Sequence, residues 1–305
     1  MHDLITILGP TACGKTAIAT QLAKQLGNAE IISADSRQVF RGMDIGTGKD
    51  LNEYGDIPYH LIDICEAGTK YSVFEFQRDF LRAYNKICTR GHVPILCGGT
   101  GLYIESVLRA YKLVEVPVNH ELRKRLENKS LKELTTLLAS YKRLHNTTDV
   151  DTARRAIRAI EIEEFYREHH VDETTSFPSI DSINIGLSVP RELRRERITQ
   201  RLHRRIEEGM LDEVQHLLDM GVDAESLISY GLEYKYLTLH LTGQITYDEM
   251  LCQLEIAIHQ FAKRQMTYFR GMERRGISIN WIDTVQPIDN ILKEIIRLIT
   301  LQTKN

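Results

Sequence analysis

Apolar residues follow two rhythms over roughly the first 115 positions. Short unbroken runs, "LITIL" at 4–8, "AEIISAD" at 29–35, "YHLIDIC" at 59–65 and "HVPILCGG" at 92–99, each lead into a stretch rich in Gly, Ser or Thr. Between them, apolar residues recur every three or four positions: Ile18, Leu22 and Leu26 within 16–26, then Val73, Phe76, Phe80, Tyr84 and Ile87 within 72–91. Continuous runs suit strands buried on both faces, and the longer period suits helices that cover them. Their alternation predicts an α/β fold, a mostly parallel sheet with helices on both faces.

The strand rhythm then stops. Two amphipathic helical stretches, "HELRKRLENKSLKELTTLLASY" (120–141) and "DTARRAIRAIEIEEFYREHH" (151–170), predict a helical insertion over 119–179. It divides a catalytic core made of 1–118 and 180–305. "SINIGLSV" at 182–189 resumes strand character, and the remainder reads as mainly helical. No internal repeat or low-complexity linker is present.

Composition narrows the class of protein. With 305 residues, 42% hydrophobic and 27% charged, the chain can bury a full core as a globular protein. The first residues lack a basic leader and run directly into a strand, so no signal peptide is expected. No apolar run is long enough to span a bilayer, and no membrane partner is expected. Cys13, Cys65, Cys88, Cys97 and Cys252 contain no C-x-x-C pair, which argues against a zinc site or disulfide framework and for a cytoplasmic setting.

Candidate chemistry starts at "GPTACGKT", residues 9–16. Gly9 and Gly14 bracket Pro10, Thr11, Ala12 and Cys13 ahead of Lys15 and Thr16, the P-loop spacing. Backbone N–H groups of such a loop turn inward onto phosphate, and the following helix adds its dipole. Lys15 would reach the phosphates and Thr16 would ligate Mg²⁺. Any diphosphate with magnesium satisfies this pattern. In an open parallel sheet ligands sit at the carboxyl ends of the strands, so Asp35, Ser36, Arg37 and Gln38 and the "GGTGLY" stretch (98–103) should converge on the loop. Asp35 is open to three readings: a magnesium-water ligand, a helix cap, or a general base.

Local charge changes the picture given by the net charge of -3. "RELRRERITQRLHRR" (191–205) holds seven arginines against two glutamates. Arg154, Arg155 and Arg158 form a second basic cluster, and Lys263, Arg264, Arg270, Arg274 and Arg275 a third. Any one of them suits a solvated face, but three beside a phosphate loop favour a polyanion, with RNA the natural candidate.

The blocks "GPTACGKT", "ISADSRQVFRGMDIGTGK", "HLIDI", "GGTGLY", "RRAIRAIE" and "FAKRQMTYFRG" together resemble the tRNA dimethylallyltransferases, in order and approximate spacing over essentially the whole chain. The resemblance implies a P-loop NTPase-like core that holds dimethylallyl diphosphate rather than a nucleotide. It also implies transfer of the dimethylallyl group to the exocyclic N6 amine of the adenosine just 3′ of the anticodon, with release of diphosphate. Asp35 matches the acid that binds this amine and accepts its proton. Residues 9–16, Arg201, and Thr100 nearby, would act on the diphosphate. Ser36, Arg37 and Gln38 would line a pocket for the flipped base between the core and the insertion, while Arg123, Arg154, Arg155, Arg158, Lys263, Arg264 and Gln265 would grip the anticodon stem-loop. The crowded RNA surface makes a monomer the simpler expectation.

Three positions depart from that family's pattern. Cys13 stands in place of Ser, Glu233 falls where Gly is common, and Tyr268 replaces Trp. A small-molecule or nucleoside kinase shares the P-loop but leaves the basic clusters unexplained. A transferase acting on free adenine nucleotides needs no basic insertion, and a noncatalytic RNA-binding switch would form no covalent product.

Overall fold

A computed structural model describes residues 3–142, 144, 150–169 and 177–302. Among these, six strands form one parallel sheet: β1 (Leu4–Leu8), β2 (Ala29–Ser33), β3 (Tyr59–His60), β4 (Val93–Gly98), β5 (Ser182–Ser188) and β6 (Asn280–Asp283). Their order is β3-β2-β4-β1-β5-β6. Helices α1 (Lys15–Leu26), α2 (Val73–Thr89) and α3 (Gly101–Leu108) belong to the first half of the core. A second unit, residues 112–177, carries α4 (His120–Leu126), α5 (Leu131–Tyr141) and α6 (Ala153–His169). The core then returns through α7 (Arg191–Glu207), α8 (Met210–Asp219), α9 (Ala224–Ser229), α10 (Leu232–Leu241), α11 (Tyr247–Arg274) and α12 (Ile288–Gln302).

The continuous apolar runs are the buried strands. Ile5, Ile7, Ile31, Ile95, Ile183 and Ile185 pack on one face against Ile18 and Leu22 of α1 and Ile291 and Ile295 of α12. Because successive strand residues point to opposite faces, Leu4, Leu8, Ile32 and Leu96 are buried on the other side, where α2 lies over β2 and β4. Each such side chain contributes about 1.5–3 kcal/mol of burial. A second core joins Ile198 and Leu202 of α7 to Met210 and Val214 of α8 and Leu254 and Ile258 of α11. The loop residues Val39, Phe40 and Met43 are packed among them. None of the described helices is long and apolar enough to cross a membrane.

Four expectations change. The run 59–65 pairs in the sheet only at Tyr59 and His60, because Leu61 (φ 63°) and Asp63 (φ 55°) turn left-handed and break the pleat. The chain then follows the 38–41 segment, where the Ile64 and Cys65 amides donate to the Val39 carbonyl. The stretch 120–141 is two helices, since Ser130 and Glu133 form a capping box that starts α5 anew. β6 lies in the region read as helical; a four-residue edge strand gives too few positions for a period to show. Residues 112–118 go with the inserted unit rather than with the core, and in that unit Arg158 donates to the carbonyls of Val116 and Pro117.

One buried carboxylate ties the edge of the sheet together. Glu30 on β2 accepts two bonds from Arg90 (2.9 and 2.6 Å) and meets His60 and His92 at 2.7 Å each. Burial raises its pKa, but the Arg90, His60 and His92 hydrogen bonds prevail and hold it at about 2, below its ordinary 4.5. A carboxylate depressed in the folded state stabilises the fold above its unfolded pKa, and this contribution is lost as pH falls from about 4.5 through about 2. Glu30→Gln should therefore lower stability near neutrality and flatten the stability loss across that acid window, as followed by denaturant titration at each pH.

Candidate active site

The ends of β1, β2 and β4 lie level, with Ser33 and Ile7 both opposite Cys97 and Leu8 opposite Gly98. Three loops therefore emerge side by side, as the rule for open parallel sheets requires. After β1, Ala12 (φ 61°) and Gly14 (φ 83°) adopt the left-handed backbone that curls successive N–H groups around an anion, and α1 starts at Lys15. Gly9 leaves room for this curl: a β-carbon there would lie 2.8 Å from both Cys13 Sγ and the Leu187 carbonyl oxygen. Lys15 Nζ donates to the Pro10 carbonyl at 2.8 Å.

After β2, Asp35 Oδ1 accepts the Arg37 amide at 2.9 Å, and the Ser36 amide donates to Thr100 Oγ1 at 3.0 Å. Thr100 thus joins the loop after β4 to that after β2. Gln38 faces inward, accepting from Ser33 Oγ at 2.9 Å and donating to the Gly48 carbonyl at 3.1 Å. Burial lowers the Arg37 pKa, while nearby Asp35 opposes that shift.

These loops enclose a cavity of about 310 Å³. Thr11, Lys15, Thr16, Asp35, Ser36, Arg37, Gln38 and Thr100 all line it, as do Arg201 and Arg205 from α7. The opposite wall comes from Gly46, Thr47 and Gly48, from Tyr230 to Tyr234, and from Ile258, Phe261 and Gln265 of α11. Every lining residue belongs to the core. The pocket expected between core and insertion is thus built by the core, because α7, α10 and α11 bring their residues to the strand ends. A second opening of about 540 Å³ borders Gly14, Lys15 and Thr16 from outside, facing Asp50, Glu53, Arg197, Arg201 and Arg204.

Two arginines are held ready by one acid. Arg201 donates to Asp50 at 2.9 Å and Arg205 at 3.3 Å. Burial and the neighbouring Arg201 push the Arg205 pKa down to about 10, so it stays cationic near neutrality. Gly48 permits their approach, since a β-carbon on it would come within 1.9 Å of Arg205. The arrangement offers an anion site and an adjacent carboxylate, the parts needed to displace a diphosphate from carbon with a nucleophile that must lose a proton.

Comparison with known proteins is consistent with this chemistry. A model of the family described as "IPP transferase" matches residues 38–272, and one described as "Isopentenyl transferase" matches residues 2–54. The chain belongs to the IPP transferase family. It is 60% identical to tRNA dimethylallyltransferase 2 of Phocaeicola vulgatus, over 100% of this chain and 99% of that one. It is likewise 60% identical to tRNA dimethylallyltransferase 1 of Parabacteroides distasonis, over 99% of each. The crystal structure of the full-length tRNA isopentenylpyrophosphate transferase from Bacillus halodurans superposes with a TM-score of 0.73 at 33% identity, covering 98% of this chain and 96% of that one.

Within this IPP transferase the residues expected to grip RNA do several different things. Gln265 is buried: it accepts the Thr11 amide at 2.8 Å and donates to the Gly99 carbonyl at 3.0 Å, bracing the P-loop against the loop after β4. Lys263 and Arg264 are exposed on the same helix, with Arg264 stacked 5.9 Å over Phe261 at the cavity wall. In the inserted unit, Arg123 and Arg158 both bind the buried Glu161, and Arg155 pairs with Asp151 one helical turn away. Arg154 is exposed and makes no such contact among the described residues. Charge counting cannot separate these cases, because a basic residue four positions from an acid reads alike whether it is paired or free.

Sequence reasoning missed Arg205, Asp50, Gly46 to Gly48 and the Tyr230 to Tyr234 wall. Arg205 was within reach, since it follows Arg201 by four residues and so shares its helix face. Asp50 gave no local signal, and residues 230–234 stood out only through Glu233, as a departure from the family's pattern. Because Gln265 holds two backbone groups, Gln265→Ala should cost about 1–3 kcal/mol in denaturant unfolding and weaken binding of inorganic diphosphate to the loosened loop.

Proposed function

We propose that the cavity is where the dimethylallyl group of dimethylallyl diphosphate passes to the N6 amine of the adenosine immediately 3′ of the anticodon in tRNA. The observation that carries this reading is the presence of Asp35 in the same cavity as Lys15, Thr16, Arg201 and Arg205. The amine is a weak nucleophile because its lone pair is delocalised into the ring. Its nitrogen attacks the allylic carbon, the carbon–oxygen bond breaks with its electrons going to the diphosphate, and Asp35 accepts the displaced proton. Lys15, Arg201, Arg205 and the P-loop amides stabilise the charge that grows on the leaving oxygens; loss of one such donor typically costs about 10²–10³ in rate. Thr100 and the Arg37 amide fix the loop that presents Asp35.

Magnesium fits this site in one particular way. Among the described residues no group of three or more His, Cys, Asp or Glu side chains could hold a metal. Thr16 lines the cavity beside Lys15, and no hydrogen bond to its hydroxyl occurs among the described residues. One hydroxyl together with substrate phosphates and water suits Mg²⁺, which keeps much of its hydration. When bound, the ion would add positive charge beside the diphosphate.

The acceptor base must leave its stack to reach Asp35, which explains the depth of the cavity and the aromatic residues Tyr230 and Phe261 on its wall. Lys263, Arg264 and Arg154 supply exposed positive charge for the RNA backbone.

Purified protein supplied with magnesium, unmodified tRNA and dimethylallyl diphosphate should yield a prenylated adenosine on nucleoside mass analysis. Consumption of ATP with a small acceptor, and no prenyl product, would replace this reading with phosphoryl transfer. Asp35→Ala should reduce product formation by at least about 10²-fold while leaving tRNA affinity nearly intact. Arg154→Glu should weaken tRNA binding and lower the dependence of log K on log salt by about 1, measured by filter binding across a salt series.

A further inference from the structure

The cavity contains a second carboxyl that the transfer step leaves unused. Glu233 lies in the first turn of α10 and lines the 310 Å³ cavity with Asp35, Arg201 and Arg205. It also lines a small recess behind Thr11 and Ala12, otherwise walled by Ile198, Leu202, Met210 and Ile258. Among the described residues no other side chain hydrogen-bonds to its carboxyl. Among the described residues, Asp35 and Glu233 are the carboxyls that line the main cavity.

The charges around Glu233 are nearly balanced. From α7 it faces Arg201 and Arg205, both already paired with Asp50 of the segment between β2 and β3. From the loop after β2 it faces Asp35 and Arg37. Lys15 of α1 shares the cavity, α11 brings only Ile258, Phe261 and Gln265, and Tyr230 and Tyr234 flank Glu233 on its own wall. Burial raises the pKa of both tyrosines, that of Tyr234 well above its usual range, and Arg205 stays cationic up to about 10. Glu213 of α8 is tied to three amides of residues 44–46 and to Tyr234.

A diphosphate entering this site adds several negative charges beside the Asp35 and Glu233 carboxyls. Like charges at short range disfavour joint ionisation. A proton on Glu233 removes this conflict. We propose that Glu233 makes diphosphate binding proton-linked: it takes up a proton as the diphosphate enters, which removes its negative charge from beside the phosphates, and as a neutral acid it donates a hydrogen bond into the cavity. This rests on the reading of the cavity as a diphosphate site. Partial burial raises the Glu233 pKa, opposed by its own backbone amide and by Arg205 and Arg201.

The test is calorimetric titration of the full-length protein with inorganic diphosphate and magnesium chloride, without tRNA, in buffers of different ionisation enthalpy. Wild type should take up more protons per diphosphate than Glu233→Gln, by up to one, over about pH 6 to 8. Its affinity should also fall more steeply with pH, by up to about tenfold per unit. Glu233→Asp should restore the extra uptake, and Asp35→Asn should leave it in place. A folded Glu233→Gln that matches wild type, or that no longer binds diphosphate, overturns the proposal. If Glu233→Gln does not fold, Asp35→Asn decides: uptake retained supports Glu233, and uptake lost assigns the proton to Asp35. Failure of wild type itself to bind diphosphate would instead sink the reading of the cavity.

Discussion

A β-carbon on Gly98 would lie 2.2 Å from the Ala34 carbonyl oxygen, and the closeness of those two backbones shapes everything at the top of the sheet. The Ala34 carbonyl accepts the Thr100 amide at 3.1 Å, and the Ala34 amide donates to Cys97 at 2.8 Å. The loops after β2 and β4 are thereby locked together where the strands end. Asp35 follows Ala34 directly, and Thr100 follows Gly98 by two residues. With the P-loop beginning one strand away, an anion site and a carboxylate come to share one cavity.

The second organising feature is electrostatic. Arg201 and Arg205 reach the cavity from a helix remote in sequence, and Gly48 makes room for them. Asp50, itself in a left-handed conformation (φ 45°), keeps both guanidiniums paired and pointed inward. Preorganised charge of this kind needs no rearrangement when substrate arrives, which is where such groups gain their effect. Nearby, Lys49 is buried between Asp44 and Asp63 and donates to the Phe40 carbonyl at 2.7 Å, so one ammonium holds the loop that carries Gly46 to Gly48.

The basic residues show how the same side-chain chemistry serves different ends. Glu161 is buried in the inserted unit and draws Arg123 and Arg158 into an ion-pair network that links α4, α6 and the segment before α4. Burial would raise its pKa, but the two arginines keep it lowered and charged. Those arginines hold the unit together. Arg154, Lys263 and Arg264 remain exposed for a partner.

The architecture was legible in the sequence because a buried strand and an amphipathic helix each leave a local period, and the P-loop because its glycines, lysine and threonine are adjacent. Asp35 and Thr100 followed from the rule that ligands sit at strand ends. What stayed hidden depends on contacts between distant segments. Gln265 reads as part of a basic, RNA-facing run, yet it is 8% exposed and braces two loops. Glu233 reads as an odd substitution, yet it shares a cavity with Asp35. Local sequence determines backbone conformation and which face of an element is apolar. Only the folded chain decides which charge meets which, because electrostatic pairing and burial depend on distance in space, and no period along the chain encodes that distance.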